Sequence, residues 1–171
     1  HRADGLGDAS WIEDPTPVIK SLKDYMTQPG RDLEAELKAH PAWSQVEYLG
    51  QVGRAEVRDV MARSRAGMVT LLPMPSYMDA LPIKMFEYMS AGLPVIASDF
   101  PLWRDIVVEH RCGLCVDPAN PQAVASAIRQ LLGSVEMAER MGAAGRVAVD
   151  RHFNWPHEEK QLLAFYRTLA A

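Results

Sequence analysis

No stretch of this sequence approaches the roughly 20 consecutive apolar residues that a helix needs to cross a bilayer. Positive charge is also in short supply. The 18 Lys and Arg are outnumbered by 22 Asp and Glu, for a formal net charge of -4 and a pI near 5.7. A nucleic-acid binder is expected to carry a basic stripe matched to phosphates, and none is visible. The first residues lack the ordered basic, apolar and cleavage regions of a secretory signal, so a cytoplasmic setting is expected, with peripheral attachment at the inner membrane face as its variant. Cysteine is scarce too. Cys112 and Cys115 form a lone Cys-Gly-Leu-Cys, with no second pair to complete a zinc site. Redox dithiols of this spacing usually open a helix, whereas Arg111-Cys-Gly-Leu-Cys-Val-Asp-Pro118 reads as a turn leading into a short strand, so reduced structural thiols are expected.

What is present is an ordinary globular composition, with 48% hydrophobic and 23% charged residues. The 171 residues suffice for one domain with a sizeable core, or for a domain plus an appendage. From residue 47 onward short apolar runs alternate with helical patterns. Residues 46–49 read as a strand, and 54–64 as a helix with Val57, Val60 and Met61 at helical spacing. Residues 67–72 form a buried-strand run closed by Pro73-Met-Pro75, and 83–90 a helix stopped by Ala91-Gly92. A strand at 94–97, a helix at 102–109 and a short strand at 113–116 follow. Helices are then predicted at 121–132, 136–150 and 156–169, the first with Val124, Ile128, Leu131 and Leu132 on one face. Strands alternating with helices of this length imply parallel crossovers. Apolar strands without polar alternation imply a sheet covered on both faces. The expected fold is α/β, a Rossmann-like parallel sheet with helices on both faces. The first 45 residues differ: 18–26 and 32–40 look helical, no apolar strand precedes Val46, and 1–10 reads as a flexible leader. The expected organisation is a leader and helical segment over 1–30 and the Rossmann-like domain over 31–171.

Ligands of such sheets gather beyond the carboxyl ends of the strands. The run ending at Leu72 feeds the loop 73–82 and then a helix, which points backbone amides and a helix N-terminus at the crevice and suits a phosphate. Asp79 lies in that loop and Glu87 one turn into the helix. Each carboxylate can grip vicinal hydroxyls of a sugar or ribose through two hydrogen bonds. Lys84 sits in the first helical turn, where a cation opposes the helix dipole unless an anion faces it. The same residues also admit a plain reading: Asp79 as a turn residue, Glu87 as a solvated helix position and Lys84 as its surface partner three residues away.

The literal sequence decides between them. Pro82-Ile-Lys-Met-Phe-Glu-Tyr-Met-Ser-Ala-Gly-Leu-Pro-Val-Ile-Ala-Ser-Asp99 resembles the donor-binding motif of the GT-B retaining glycosyltransferases, the glycosyl transferases group 1 family. That pattern is an acid, seven residues, Glu, then Met, a small residue, Gly and Pro-Val-Ile-Ala. Asp79 and Glu87 fall on the two acids, with Asp in place of the more usual first Glu. Val46-Glu-Tyr-Leu-Gly50, Cys112-Gly-Leu-Cys-Val-Asp-Pro118 and Phe153-Asn-Trp155 resemble further family segments, so that residues 31 to 170 are covered.

The resemblance implies the C-terminal half of a GT-B enzyme, binding a nucleotide-diphosphate sugar. It places Glu87 on the ribose hydroxyls, Lys84 near the nucleotide, Asp79 on the transferred sugar, and the backbone around Ala80, Leu81 and Pro82 against the sugar or diphosphate. It assigns no catalytic residue. The absence of any Asp-x-Asp fits a metal-independent site with no cofactor beyond the donor. The implied setting is bacterial polysaccharide or lipopolysaccharide synthesis, with an N-terminal acceptor-binding domain, absent from this chain, as partner.

The family's opening strand, Gly-rich turn and Lys-Gly, which hold the diphosphate, have no counterpart here. Lys20 and Lys23 have neither a neighbouring glycine nor a preceding strand. The sheet is therefore expected to lack its first strands, leaving an open edge through which two copies can pair. The rival readings are a non-catalytic interaction or dimerisation module on the same scaffold and a sugar-nucleotide epimerase fragment. The five histidines read as packing, surface, helix-end or leader residues. Trp103, Arg104 and Asp105 sit where a loop can border the cleft, with packing by Trp103 and a surface ion pair as the favoured reading.

Overall fold

The computed structural model describes residues 33–169; the expected leader, the expected helix over 18–26 and both Lys20 and Lys23 lie outside them. The described chain runs α1 (Leu33–Ala39), a 3-10 turn (Pro41–Gln45), α2 (Arg54–Arg63), β1 (Gly67–Val69), α3 (Pro75–Met78), α4 (Ile83–Ser90), β2 (Val95–Ser98), α5 (Pro101–Glu109), β3 (Gly113–Val116), α6 (Pro121–Gly133), α7 (Val135–His152) and α8 (Trp155–Leu169). The three strands form one parallel sheet in the order β1-β2-β3.

Alternation along β2 divides the interior in two. Val95 and Ala97 join Met85 and Met89 of α4, Trp103 and Val107 of α5 and Ala148 of α7 in one core. Ile96 points the other way, into a core with Val116 of β3, Val124, Ala127 and Leu131 of α6 and Ala138 of α7. Helices therefore cover both faces, as expected. The helix starts are written in the sequence. Asn120 accepts from the Ala123 amide ahead of Pro121, and Ser134 accepts from the Met137 amide, so each new helix has one orphan donor satisfied.

Two strand expectations need correction. Residues 46–49 are not a strand, and Val46, Tyr48 and Leu49 are 50%, 57% and 42% exposed. A strand exists only where a ladder partner takes its backbone groups, and none stands beside this run among the described residues. Its side chains are used locally instead. Tyr48 tilts against Trp43 with ring centroids 5.8 Å apart and lies under Lys38 Nζ, while Glu47 pairs with Arg63. The second correction is the length of β1, which ends at Val69 rather than continuing to Leu72. Beyond that point the Ser98 hydroxyl takes over from the ladder, donating to Leu71 O at 2.7 Å. The loop after β1 also contains a short helix, α3, which starts at Pro75, a residue preset for the first helical position. The far edge of β1 has no paired strand among the described residues.

The two cysteines are free. Cys112 is fully buried and its Sγ donates to Val107 O, and Cys115 lies within β3 against the same core. Three steps along an extended chain span about 10 Å, too far for the Cα separation of a disulfide. Burial, first among the causes, pushes both thiols up to about 11.

Two predictions follow from the packing. Helix α7 crosses the end of α4 at Gly142, where an added Cβ would stand 2.0 Å from Gly92 O, and Gly92 itself holds φ 72° in the turn that leads to β2. Alanine in mid-helix favours the helix by about 1 kcal/mol. Overpacking against an immovable backbone costs about 1 to 3 kcal/mol or more, so the clash wins. Gly142→Ala is expected to lower the calorimetric melting temperature by several degrees, and an equal or higher value would contradict this packing. With both thiols raised, iodoacetamide at pH 8 is expected to alkylate the folded chain at least about tenfold more slowly than the urea-unfolded chain; equal rates would show the thiols accessible and ionised.

Candidate functional site

At the carboxyl end of the sheet, the turn out of β2 organises its neighbours. Ser98, fully buried, holds Leu71 O with its hydroxyl. Asp99 pairs with Arg104 on the first turn of α5, and the hydrogen bond from that guanidinium holds the carboxyl below its usual range, with partial burial opposing. The pair is half-exposed, so it orients more than it stabilises. This is the surface ion pair expected for Arg104, although its partner is Asp99 and not Asp105. Phe100 and Trp103 pack ring against ring at 4.7 Å. Trp103, 1% exposed, donates its indole N–H to Ala80 O at 2.7 Å. Packing by Trp103 is therefore found, and a hydrogen bond to the predicted donor loop comes with it.

That loop presents the sequence-predicted residues in order. Asp79 closes α3 with its side chain exposed, and the Ala80 amide donates back to Tyr77 O. Leu81 is 49% exposed, and Pro82 is the N-cap of α4 without a side-chain cap. Met85 N–H turns back to Pro82 O, which leaves the Ile83 and Lys84 amides as orphan donors of the first turn. The helix then separates its faces by its own period. Met85 and Met89 are wholly buried, whereas Lys84 and Glu87 look outward.

Lys84 and Glu87 line a cleft of about 1040 Å³ between α2, α4 and α7, together with Arg54, Arg58 and Arg146. None of these four cations forms an ion pair among the described residues. The structure thus brings Glu87 and Lys84 into one cleft. Asp79, Ala80, Leu81 and Pro82 do not line it, and stand beside it at the N-terminal end of α4. The floor is apolar, with Phe86 packed on Phe153 at 5.0 Å, and Tyr88, half-buried next to Glu87, has its phenol pushed up by burial and then by that carboxylate. The arrangement offers a carboxylate acceptor for hydroxyls, four cations for an anion, and amides at a helix start.

Sequence reasoning missed Arg54, Arg58 and Arg146 as cleft residues, because α2 and α7 meet α4 only in the folded chain. It also missed the role of the Trp103 N–H, for which a signal existed: a buried indole usually finds an acceptor. The four described histidines behave as expected, and His1 lies outside the described residues. His40 accepts from the Ala42 amide at the 3-10 turn, and His110, His152 and His157 gather with Phe153, the first two stacked at 5.3 Å. Among the described residues no three His, Cys, Asp or Glu side chains converge as metal ligands.

Comparison with known proteins gives a consistent result. The sequence profile of the family described as glycosyl transferases group 1 matches residues 30–148. A phosphatidyl-myo-inositol mannosyltransferase of Mycobacterium leprae (strain TN) is 30% identical over 141 residues, covering 82% of this chain and 37% of that protein. A GDP-mannose-dependent alpha-(1-6)-phosphatidylinositol monomannoside mannosyltransferase of Mycobacterium tuberculosis (strain CDC 1551 / Oshkosh) is 32% identical over 147 residues, covering 85% of this chain and 33% of that protein. The chain therefore spans about a third of these relatives' length. Among solved structures, sucrose-phosphate synthase from Thermosynechococcus elongatus superposes with a TM-score of 0.68 at 24% identity, over 88% of this chain and 42% of that one, so the two share the fold.

Proposed function

The chain belongs to the glycosyl transferases group 1 family, and on that premise we propose that residues 31–171 bind the nucleotide-diphosphate-sugar donor of a retaining glycosyltransferase. The observation that carries the reading is the cleft itself: Glu87 faces it among four cations that have no ion pair among the described residues, beside the open N-terminal turn of α4. Glu87 takes the two ribose hydroxyls, each donating to one carboxylate oxygen. The diphosphate lies against Lys84, Arg54, Arg58 and Arg146, which do the work of the Gly-Lys turn that relatives use. Asp79 accepts from hydroxyls of the transferred sugar, at the end of α4 where the Leu81, Ile83 and Lys84 amides are open.

Transfer with retention loosens the anomeric bond while negative charge grows on the leaving diphosphate. Fixed cations and amide dipoles in place before reaction stabilise that charge without reorganising. The chemistry in this reading asks for no metal. The acceptor belongs to a further domain of the whole protein, and the relatives' names, which include phosphatidylinositol mannosides as acceptors and GDP-mannose as donor, make a hexosyl donor and a surface glycolipid or polysaccharide the first pair to test. A site of that kind works at the cytoplasmic face of the membrane. Family membership favours transfer over epimerisation. The unpaired edge of β1 supports a second, compatible reading, in which two copies pair through it.

Isothermal calorimetry against UDP, GDP, TDP and GDP-mannose is expected to find at least one ligand with a dissociation constant below millimolar. Because the cleft is cationic, that affinity is expected to fall as salt is raised. Glu87→Ala, at an exposed position, is expected to keep the circular dichroism spectrum and to lose about tenfold in affinity, or about 1.4 kcal/mol. Unchanged affinity would remove Glu87 from the site.

A further inference from the structure

We propose that Trp103 is a positioning residue for the donor loop: its indole N–H, by holding Ala80 O, aims the Leu81 amide and the Asp79 carboxylate at the transferred sugar. The inference rests on the donor-site reading above and adds to it the residue that sets the loop's orientation.

The geometry is specific. Trp103 lies in the core below the loop, 1% exposed and packed on Phe100 at 4.7 Å, and its indole N–H reaches 23 residues back along the chain to a single carbonyl at 2.7 Å. An N–H buried to this degree must find an acceptor, and Ala80 O is the one it finds. The described chain contains no cis peptide bond. In a planar trans peptide the C=O and the following N–H point in opposite directions. With Ala80 C=O turned inward to the indole, the Leu81 N–H is turned outward, on a residue that is 49% exposed, and no acceptor meets it among the described residues. The next residue, Pro82, has no N–H, and the Ile83 and Lys84 amides follow as orphan donors. The indole therefore adds one amide to the open row at the start of α4.

The same peptide fixes Asp79. That residue caps α3 at φ -98°, ψ 4°, directly before the anchored Ala80, so the tether on Ala80 restricts the backbone that carries its carboxylate. The loop has a second tether at its beginning, Leu71 O held by the buried Ser98 hydroxyl. Both tethers originate at the carboxyl end of β2, from Ser98 itself and from the helix that starts three residues later. Losing the Trp103 bond frees only the sugar-facing end of the loop. Glu87, in the second turn of α4 and fixed by Met85 and Met89 beneath it, keeps its place. Trp103 thus acts on recognition of the sugar and not of the nucleotide, which a merely structural role would not separate.

The test replaces Trp103 in the chain with 3-benzothienylalanine, which keeps the ring shape and substitutes sulfur for the N–H; Trp103→Phe is the genetic equivalent and 5-fluorotryptophan, with its N–H, the rescue. Calorimetry compares each nucleoside diphosphate with its sugar conjugate, and amide hydrogen exchange follows residues 79–84. In the benzothienyl protein, nucleoside-diphosphate affinity is expected to stay within about twofold and the preference for the sugar conjugate to fall about tenfold, the scale of one hydrogen bond lost from a buried group. Exchange is expected to quicken at Ala80, whose amide is bonded to Tyr77 O, while the open Leu81, Ile83 and Lys84 amides exchange fast in every variant, and 5-fluorotryptophan is expected to restore both the sugar preference and the Ala80 rate. An unchanged sugar preference, or unchanged exchange, overturns the positioning role while leaving the donor site standing. An equal loss for diphosphate and conjugate makes Trp103 structural only and likewise overturns it. A wild-type chain that binds none of the ligands overturns the donor-site reading and this proposal with it.

Discussion

Strand β2 is buried on both of its faces, and the rest of the domain is arranged around that constraint. Val95, Ile96, Ala97 and Ser98 are at most 1% exposed. A strand in that position cannot leave a backbone group unpaired, so β1 and β3 must flank it in parallel register, Val69 opposite Ala97 and Cys115 opposite Ala97 on the other side. Its side chains must be covered from two directions, which calls for α4 and α5 on one face and α6 on the other, with α7 serving both cores. The approach is close enough that β3 needs glycine at its start, since a Cβ on Gly113 would stand 2.0 Å from Val95 O.

The end of the same strand is where interior packing becomes a surface site. Ser98 is the last residue of β2, and its hydroxyl reaches across to the chain leaving β1. Asp99 turns outward to Arg104, and Phe100 and Trp103 turn back into the core. Tethers of this kind let a loop that carries no ladder hydrogen bonds of its own hold one orientation. The neighbouring cleft has the opposite character. Lys84 at a helix start and three arginines around it repel one another and oppose the α4 dipole, an arrangement that stability alone does not favour and that an anion in the cleft would relieve.

Helices were the legible part of the sequence, because their limits are local. Pro82, Pro101, Asn120-Pro121, Ser134 and Gly92 mark starts and stops within a residue or two of where the folded chain has them. Strands were over-read, because an apolar run becomes a strand only if another stands beside it. Residues 46–49 have none among the described residues, and 70–72 are met by a side-chain hydroxyl instead. The site divides in the same way. Asp79, Lys84 and Glu87 sit together in one short motif and could be singled out, while Arg54, Arg58 and Arg146 come from helices distant in sequence and carry no motif. Trp103 was visible as a packing residue, but its acceptor, 23 residues upstream, was not.

The central claim is that the cleft in front of α4, and no other surface, receives the nucleotide. A nitrogen-15 chemical-shift titration of the chain with the nucleoside diphosphate it binds tests this most directly. The account predicts that the largest shifts fall on residues 79–88 and on the start of α2, with the amides of Arg65, Leu132 and Glu139, which line an adjoining cavity of about 510 Å³ but not the cleft, unmoved. Shifts centred on that second cavity, with Lys84 and Glu87 silent, would contradict it.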